Sequence, residues 1–228
     1  MSVRRVGILL AAALLAGCGG EAGSRGTARL WITRDRGAHV LLTTTVPAGL
    51  TAMQALDREA DIETRYGGRF VQSIDGLGGS LASEHDWFWF VNGYEGDRSA
   101  AEYRLRPGDV EWWDYRSWRG AMSVPVVVGA FPEPFLHGYD GKRRPALVVY
   151  SDPAQVSAAR RLARLVRGSA TRRVPDDRSA NVLLLRRGGR LSFTVRADGN
   201  TAGGRVTFVL SGDPARLPAA ARFRYSLP

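Results

Sequence analysis

The sequence predicts an α+β protein built as two successive units. Three observations predict it. Short β-prone runs bounded by turn residues outnumber helical stripes. The front of the chain runs two strands, one helix, then further strands, which is the order of a β-grasp. Charge and aromatic content both change near Met122: all six Trp lie between Trp31 and Trp118. The expected organisation is a β-grasp-like N-terminal unit at 28–121 and a small basic α/β unit at 122–228. A leader at 1–17 and a flexible tether at 18–27 precede them.

Ala28–Thr33 and His39–Val46 read as two strands joined by a turn at Asp35-Arg36-Gly37. Pro47-Ala48-Gly49 ends the second. Thr51 and Gln54 have the spacing of a capping box, so a helix starts there. Met53, Leu56 and Ala60 fall on one of its faces. Phe70–Ile74 is a short strand, followed by a Gly-rich turn over 75–80. Trp87–Val91 is strongly β-prone and closes on Asn92-Gly93, a turn pair. Arg106-Pro107-Gly108-Asp109 is another turn, and Val110–Tyr115 is the last strand of the unit.

In the second unit Val124–Val128 is a β-branched run that reads as a strand, as does Ala146–Tyr150. Asp152 is an N-cap, Pro153 suits the first helical turn, and Gly168 is a C-terminal stop. Between them Val156, Ala159, Leu162, Ala163 and Val166 form an apolar stripe, with Arg160, Arg161, Arg164 and Arg167 on the other side. Asn181–Leu185, Leu191–Val195, Arg205–Leu210 and Arg222–Tyr225 read as strands.

The chain has 228 residues, 44% hydrophobic and 24% charged. That supports a buried core and excludes a disordered tail, a collagen or a coiled coil. No apolar run reaches the ~18 residues that span a bilayer. A single cysteine excludes a disulfide framework and a CxxC zinc site. The net charge of +10 is unevenly placed. From Cys18 to Met122 there are 12 Arg against 15 Asp plus Glu; beyond it, 18 Lys plus Arg against 7 acids. Opposite signs in the two halves imply different neighbours.

The first residues are an address. Arg4 and Arg5 precede an apolar run, Val6–Leu15, too short to span a membrane, which ends in Leu15-Ala16-Gly17-Cys18. This resembles the lipobox of bacterial lipoproteins, which implies lipidation of Cys18 and an extracytoplasmic protein anchored to the cell membrane by lipid. Each buried CH₂ of such an anchor contributes ~0.8 kcal/mol.

Catalytic signatures are missing from the sequence: HExxH, GxSxG and a P-loop do not occur, and Gly76-x-Gly78-Gly79 fails the dinucleotide pattern at Leu81. His39, His85 and His137 have no metal-ligand spacing. The sequence is therefore read as a non-enzyme with no catalytic residue, metal or resident cofactor. The aromatic cluster is the positive signal. Trp87, Trp89 and Val91 share one face of their strand, with Phe88 and Phe90 on the other; Trp113 and Tyr115 share a face, with Trp112 opposite. Two readings stand side by side. The aromatics pack as core, or they form an apolar platform for a ring-shaped ligand or partner. In the second reading Trp87, Trp89, Trp112, Trp113 and Tyr115 make the platform, while Asn92 and Tyr94 supply hydrogen bonds. The arginine face has two readings as well: a solvated surface, or Arg160, Arg161, Arg164 and Arg167 touching anionic lipid or wall polymer at ~1 kcal/mol each. Nucleic acid is not an expected partner of an exported protein.

Four segments carry a family resemblance: Thr51-Ala52-Met53-Gln54-Ala55-Leu56, Phe70–Leu77, Trp89-Phe90-Val91-Asn92-Gly93, and Tyr103-x-Leu105-x-Pro107-Gly108-Asp109-Val110. In that order they resemble DUF4430, bacterial surface domains similar to the C-terminal β-domain of transcobalamin and intrinsic factor. The resemblance covers about residues 40 to 118. It implies a β-grasp-like fold and a role in capping a small ligand, corrinoid-like by analogy with the vertebrate relatives, beside a vitamin transporter. The alternative is an interaction lipoprotein that docks an envelope protein or an anionic envelope surface.

Overall fold

In a computed structural model that describes residues 26–174 and 176–228, the protein is α+β, with two five-stranded sheets and a three-stranded one among those residues. Cys18 and the leader lie outside the described residues. Thr27, counted above with the tether, is the first residue of a strand. It pairs with Pro47, and the Gly26 carbonyl accepts from the Ala48 N–H at 3.0 Å.

The first sheet starts with β1 (Thr27–Arg34) and β2 (His39–Pro47), antiparallel with a bulge at Ile32/Thr33. Their turn puts Asp35 and Arg36 at φ 60° and 58°. Two amides of the turn, Arg36 N–H (3.1 Å) and Gly37 N–H (3.0 Å), donate to the buried carboxylate of Asp114. Gly37 has no alternative, because a Cβ there would stand 1.4 Å from the Phe223 carbonyl oxygen. Helix α1 (Ala52–Glu59) opens with both halves of the capping box: Gln54 N–H to Thr51 Oγ1 at 3.1 Å, and Thr51 N–H to Gln54 Oε1 at 2.9 Å. It buries Ala52, Met53, Ala55 and Leu56, while Ala60 is the C-cap.

A small meander follows: β3 (Ile62–Arg65), β4 (Phe70–Ile74) and β5 (Leu77–Gly78). Then come β6 (His85–Val91), β7 (Tyr94–Glu95) and β8 (Val110–Ser117). The order is β2-β1-β8-β6-β7, with β1 and β8 in parallel. This central parallel pair is the β-grasp arrangement that the strand–strand–helix–strand order predicts.

The second sheet contains β9 (Ala146–Val149), β10 (Ser169–Thr171), β11 (Asn181–Arg186), β12 (Ser192–Ala197) and β13 (Val206–Ser211), ordered β10-β9-β11-β13-β12. Only β12 runs antiparallel. Helix α2 (Val156–Leu165) crosses from β9 to β10 after a 3₁₀ turn capped by Asp152, whose Oδ1 accepts from Ala154 N–H at 3.0 Å. Ala159, Leu162 and Ala163 are buried, and the four arginines of the opposite face are exposed. A third helix, α3 (Leu217–Ala221), was not read from the sequence.

Two predicted strands are absent from their sheets. Val124–Val128 makes only one bridge, Tyr94↔Val126. Pro125 lacks an N–H, and the neighbouring amides go elsewhere: Val127 to the Gly93 carbonyl (2.9 Å) and Val128 to the Tyr225 carbonyl (3.2 Å). The run is β-branched because it is buried, not because it pairs. Arg222–Tyr225 also forms no strand. It folds back so that Phe223 and Tyr225 pack behind the first sheet.

The core is continuous across Met122. One buried cluster runs from Leu30, Ile32, Leu56 and Trp113 through Phe131 and Phe135 to Phe193 and Phe208. A second lies behind the first sheet: Trp31, Phe90, Val110, Trp112, Val127 and Tyr225. Arg116 fastens the segment between the units. It is fully buried, lies 3.5 Å from the centroid of the Phe88 ring, and donates to the carbonyls of Ala121 (2.8 Å) and Met122 (3.1 Å).

Candidate ligand-binding site

Register decides which aromatics meet. In β6 and β8, Trp89 pairs with Trp113 and Trp87 with Tyr115, so these four share the front face. Phe90 pairs with Trp112, and in β1 Trp31 pairs with Trp112, so those three share the rear. On the front, Trp89 and Trp113 are stacked at 6.1 Å with 24° between their planes. Tyr103 meets Trp89 edge-on at 5.8 Å. Gly96 makes room for the Trp89 indole, since a Cβ there would lie 2.1 Å from its Cε2.

A recess of ≈ 400 Å³ opens over this row. Trp87, Trp89 and Trp113 line it from the sheet, Met53 from α1, and Val71 from β4. Tyr66 and Phe70 stand at its mouth on the β3–β4 hairpin, 78% and 38% exposed, edge-to-face at 6.2 Å. The volume lies within the range of small-molecule sites, and the lining is mostly apolar, as such sites are.

The rim carries two arginines, and both are already paired. Arg69 is bridged to Glu102. Arg98 donates to Asp97 at 2.8 Å and lies 3.5 Å from Asp140. Burial pushes the Asp97 carboxyl up, but hydrogen bonds from Arg98 and Tyr139 outweigh it and hold the group below the usual range. The indole N–H groups of Trp87 and Trp113 are also committed, to the Leu77 carbonyl (2.7 Å) and to Glu111 Oε1 (2.6 Å). Glu111 is fully buried, and burial drives its carboxyl well above the ordinary range against the opposing hydrogen bond from Trp113. The recess therefore presents aromatic faces and a charge-compensated rim.

The structure brings Trp87, Trp89 and Trp113 together and places the other sequence candidates elsewhere. Tyr115 is adjacent, stacked on His85 at 5.5 Å, with its hydroxyl bonded to the Gly78 carbonyl at 3.0 Å. Trp112 is on the opposite face, where its Nε1 donates to Thr33 Oγ1 at 2.7 Å. Asn92 is a buried turn residue at φ 52°. Its Nδ2 donates to Asp109 (2.7 Å) and to the Gly138 carbonyl (2.9 Å), and its Oδ1 accepts from Val110 N–H (2.8 Å), so both its donors are committed. Tyr94 is buried and donates to the Gly204 carbonyl at 2.8 Å, a tie to the second unit; burial pushes its hydroxyl up to about 12. Arg160, Arg161, Arg164 and Arg167 are exposed on and just past α2 and do not reach the recess. Sequence reasoning missed Met53 as a lining residue, and also Tyr66, Phe70 and Arg98. Tyr66-Gly67-Gly68-Arg69-Phe70 was the available signal, a glycine turn flanked by two aromatics.

Among the described residues no cluster of three or more His, Cys, Asp or Glu could hold a metal ion, and no helix is long and apolar enough to cross a membrane.

Residues 49–117 match the family model for a domain of unknown function, DUF4430. Haptocorrin, in a crystal structure in complex with Cbi, is similar over 40% of this chain at 16% identity, with a TM-score of 0.34. The chain spans only about a quarter of haptocorrin's length, 24%. A proposed metal-binding protein from Ruminococcus gnavus ATCC 29149 is similar over 40% of this chain and 97% of its own, at 14% identity and a TM-score of 0.33. Among curated proteins none matches.

Proposed function

We propose that the protein is a binding module, not an enzyme, that takes the apolar ring of a small uncharged ligand into the Trp87–Trp89–Trp113 recess. One observation carries the reading: a stacked tryptophan pair floors a half-open recess of ≈ 400 Å³ whose rim charges are internally paired. An aromatic floor gains by stacking on a planar ligand. A compensated rim gives a charged ligand no net attraction. The family match supports the reading by position, because Met53, Trp87, Trp89 and Trp113 all fall within it. A ring system larger than the recess, a corrinoid among them, would insert one edge and leave the rest against Tyr66 and Phe70.

Lipidation of Cys18 would hold the module at an extracytoplasmic membrane face, where it would present ligand to a transporter. The exposed Tyr66 favours a second reading, in which the mouth of the recess docks an envelope protein.

Calorimetric titration of the full chain with cobinamide, a haem-type macrocycle and single-ring heterocycles tests the proposal. The expected result is 1:1 binding of at least one of them, weakened tenfold or more by Trp89→Ala in a protein with unchanged circular dichroism. No heat from any of them, together with capture of an envelope protein that Tyr66→Ser abolishes, would favour docking.

A further inference from the structure

The outer face of the second sheet carries a recess that the proposed function does not use. It has a volume of ≈ 390 Å³. Its floor follows from register. Val182 of β11, Thr207 of β13 and Arg196 of β12 form one row across the sheet, and Leu184 of β11 stands in the next row on the same face. The intervening residues, Leu183 and Phe208, point into the core.

Thr207 is the anomaly in this row. It is 6% exposed, and its Oγ1 is buried without a partner among the described residues. A buried unpaired hydroxyl is costly, and valine fills the same volume without that cost. Three guanidinium groups line the same recess, those of Arg178, Arg196 and Arg205. Arg205 is nine-tenths buried and is held in place by the Ala180 carbonyl (2.9 Å) and Asp198 (2.8 Å). Arg178 also reaches Asp198, at 3.2 Å. Arg196 pairs with Thr207 through its backbone, but its guanidinium makes no hydrogen bond or ion pair among the described residues.

The pairing of the arginines limits what fits. Arg178 and Arg205 are both bound to Asp198, whereas the Arg196 guanidinium has no ion-pair partner among the described residues. Asp177, next door, accepts from the Ser179 N–H and hydroxyl at 3.1 and 3.0 Å, and its negative charge also faces Arg205. One unpaired guanidinium suits a monoanion better than a phosphate dianion. The apolar floor of Val182 and Leu184 suits a ligand with a hydrocarbon body. Guanidinium and hydroxyl donors together match the two oxygens of a carboxylate.

We infer that this recess is a second, independent binding site for an organic monocarboxylate. Its carboxylate is held by Arg196, Arg205 and the Thr207 hydroxyl, and its apolar body lies on Val182 and Leu184. The arrangement also gives the unpaired hydroxyl of Thr207 a partner.

The test is a ¹H–¹⁵N NMR titration of the full chain with hexanoate, hexan-1-ol and inorganic phosphate. Saturable shifts are expected with hexanoate at Val182, Leu184, Arg196 and Thr207, and at least tenfold weaker binding for hexan-1-ol. Arg196→Ala should weaken hexanoate tenfold or more. Thr207→Val should weaken it at least threefold while raising the unfolding midpoint of the ligand-free protein, a pairing that a purely structural threonine would not show. Trp89→Ala should leave hexanoate binding unchanged, which separates this site from the tryptophan recess. The inference is overturned if hexanoate gives no saturable shifts there, if the alcohol binds as tightly, or if phosphate displaces hexanoate at equal concentration.

Discussion

His137 shows how much of this protein's chemistry is decided one side chain at a time. Its Nδ1 lies 2.6 Å from Glu133 Oε1, and its backbone N–H donates to Glu133 Oε2 at 2.9 Å. Glu133 is fully buried. The hydrogen bond to Glu133 raises the imidazole's pKa above 6.5. Burial opposes the rise, the negative charges of Glu133 and Asp109 add to it, and Arg167 subtracts. A raised folded value means that the imidazolium's contribution to stability is complete below the unfolded pKa. It is lost as pH climbs through the folded one. Urea midpoints of wild type and His137→Gln should therefore converge as pH climbs from below about 6.5 through the raised folded value. A gap of constant size over that range would refute the assignment. Little of this was legible in the sequence: Glu133 and His137 are four residues apart, but they stand in a Pro-rich loop where that spacing does not bring side chains together as it does on a helix. The partnership depends on a turn closed by the Gly138 N–H and the Pro134 carbonyl at 3.0 Å, which the sequence did not announce. Trp89 lies at the other extreme: alternation along β6 assigns it to a face with Trp87, and antiparallel register then delivers Trp113 beside it.

At the scale of elements, the end of α2 separates what glycine does by conformation from what it does by size. The sequence marks Gly168 as the stop, but the residue in the left-handed region is Arg167, at φ 50°. Gly168 N–H then donates to the Ala163 carbonyl (2.8 Å) and Arg167 N–H to the Arg164 carbonyl (3.1 Å), a Schellman closure shifted by one residue. Gly168 is needed for room, because a Cβ would stand 2.1 Å from the Ala146 carbonyl oxygen. Two opposite effects on chemical denaturation are expected. Arg167→Gly should stabilise by about 1 kcal/mol by relieving the left-handed strain. Gly168→Ala should destabilise, because β9 must move to admit the methyl. If Arg167→Gly leaves the urea midpoint where it is, the strain argument fails. Elements with a local signature were readable: the capping box of α1, the bounds of β4, the apolar stripe of α2. Val124–Val128 was misread because β-branched residues signal burial as strongly as pairing, and only the amides' partners tell the two apart.

Across the whole molecule, charge and packing divide the chain differently. The net charge changes sign near Met122, whereas the hydrophobic cluster runs past it without a break. Composition shows the first and cannot show the second, since packing between distant segments leaves no trace in a sliding window. Tyr225 measures that connection. It meets Phe90 edge-on at 5.4 Å and Trp112 at 5.6 Å, behind a sheet whose strands end more than a hundred residues earlier. Tyr225→Ala should cost about 3 kcal/mol, in the range of large-to-small core changes. The tryptophan emission should shift to the red in the folded state, because Trp112 and Trp31 gain water. Unchanged emission would mean that the rear of the first sheet closes without its C-terminal cover.

That cover also sets a schedule. Translation runs from the N-terminal to the C-terminal side, so the strands bearing Trp31, Phe90 and Trp112 exist long before Phe223 and Tyr225 have been joined to the chain. Throughout that interval an aromatic surface is open to whatever attends the growing polypeptide. A stop codon just before Arg222 would leave it open for good, so a lesion about a hundred codons downstream of the last strand of the first sheet would strike that earlier-made sheet.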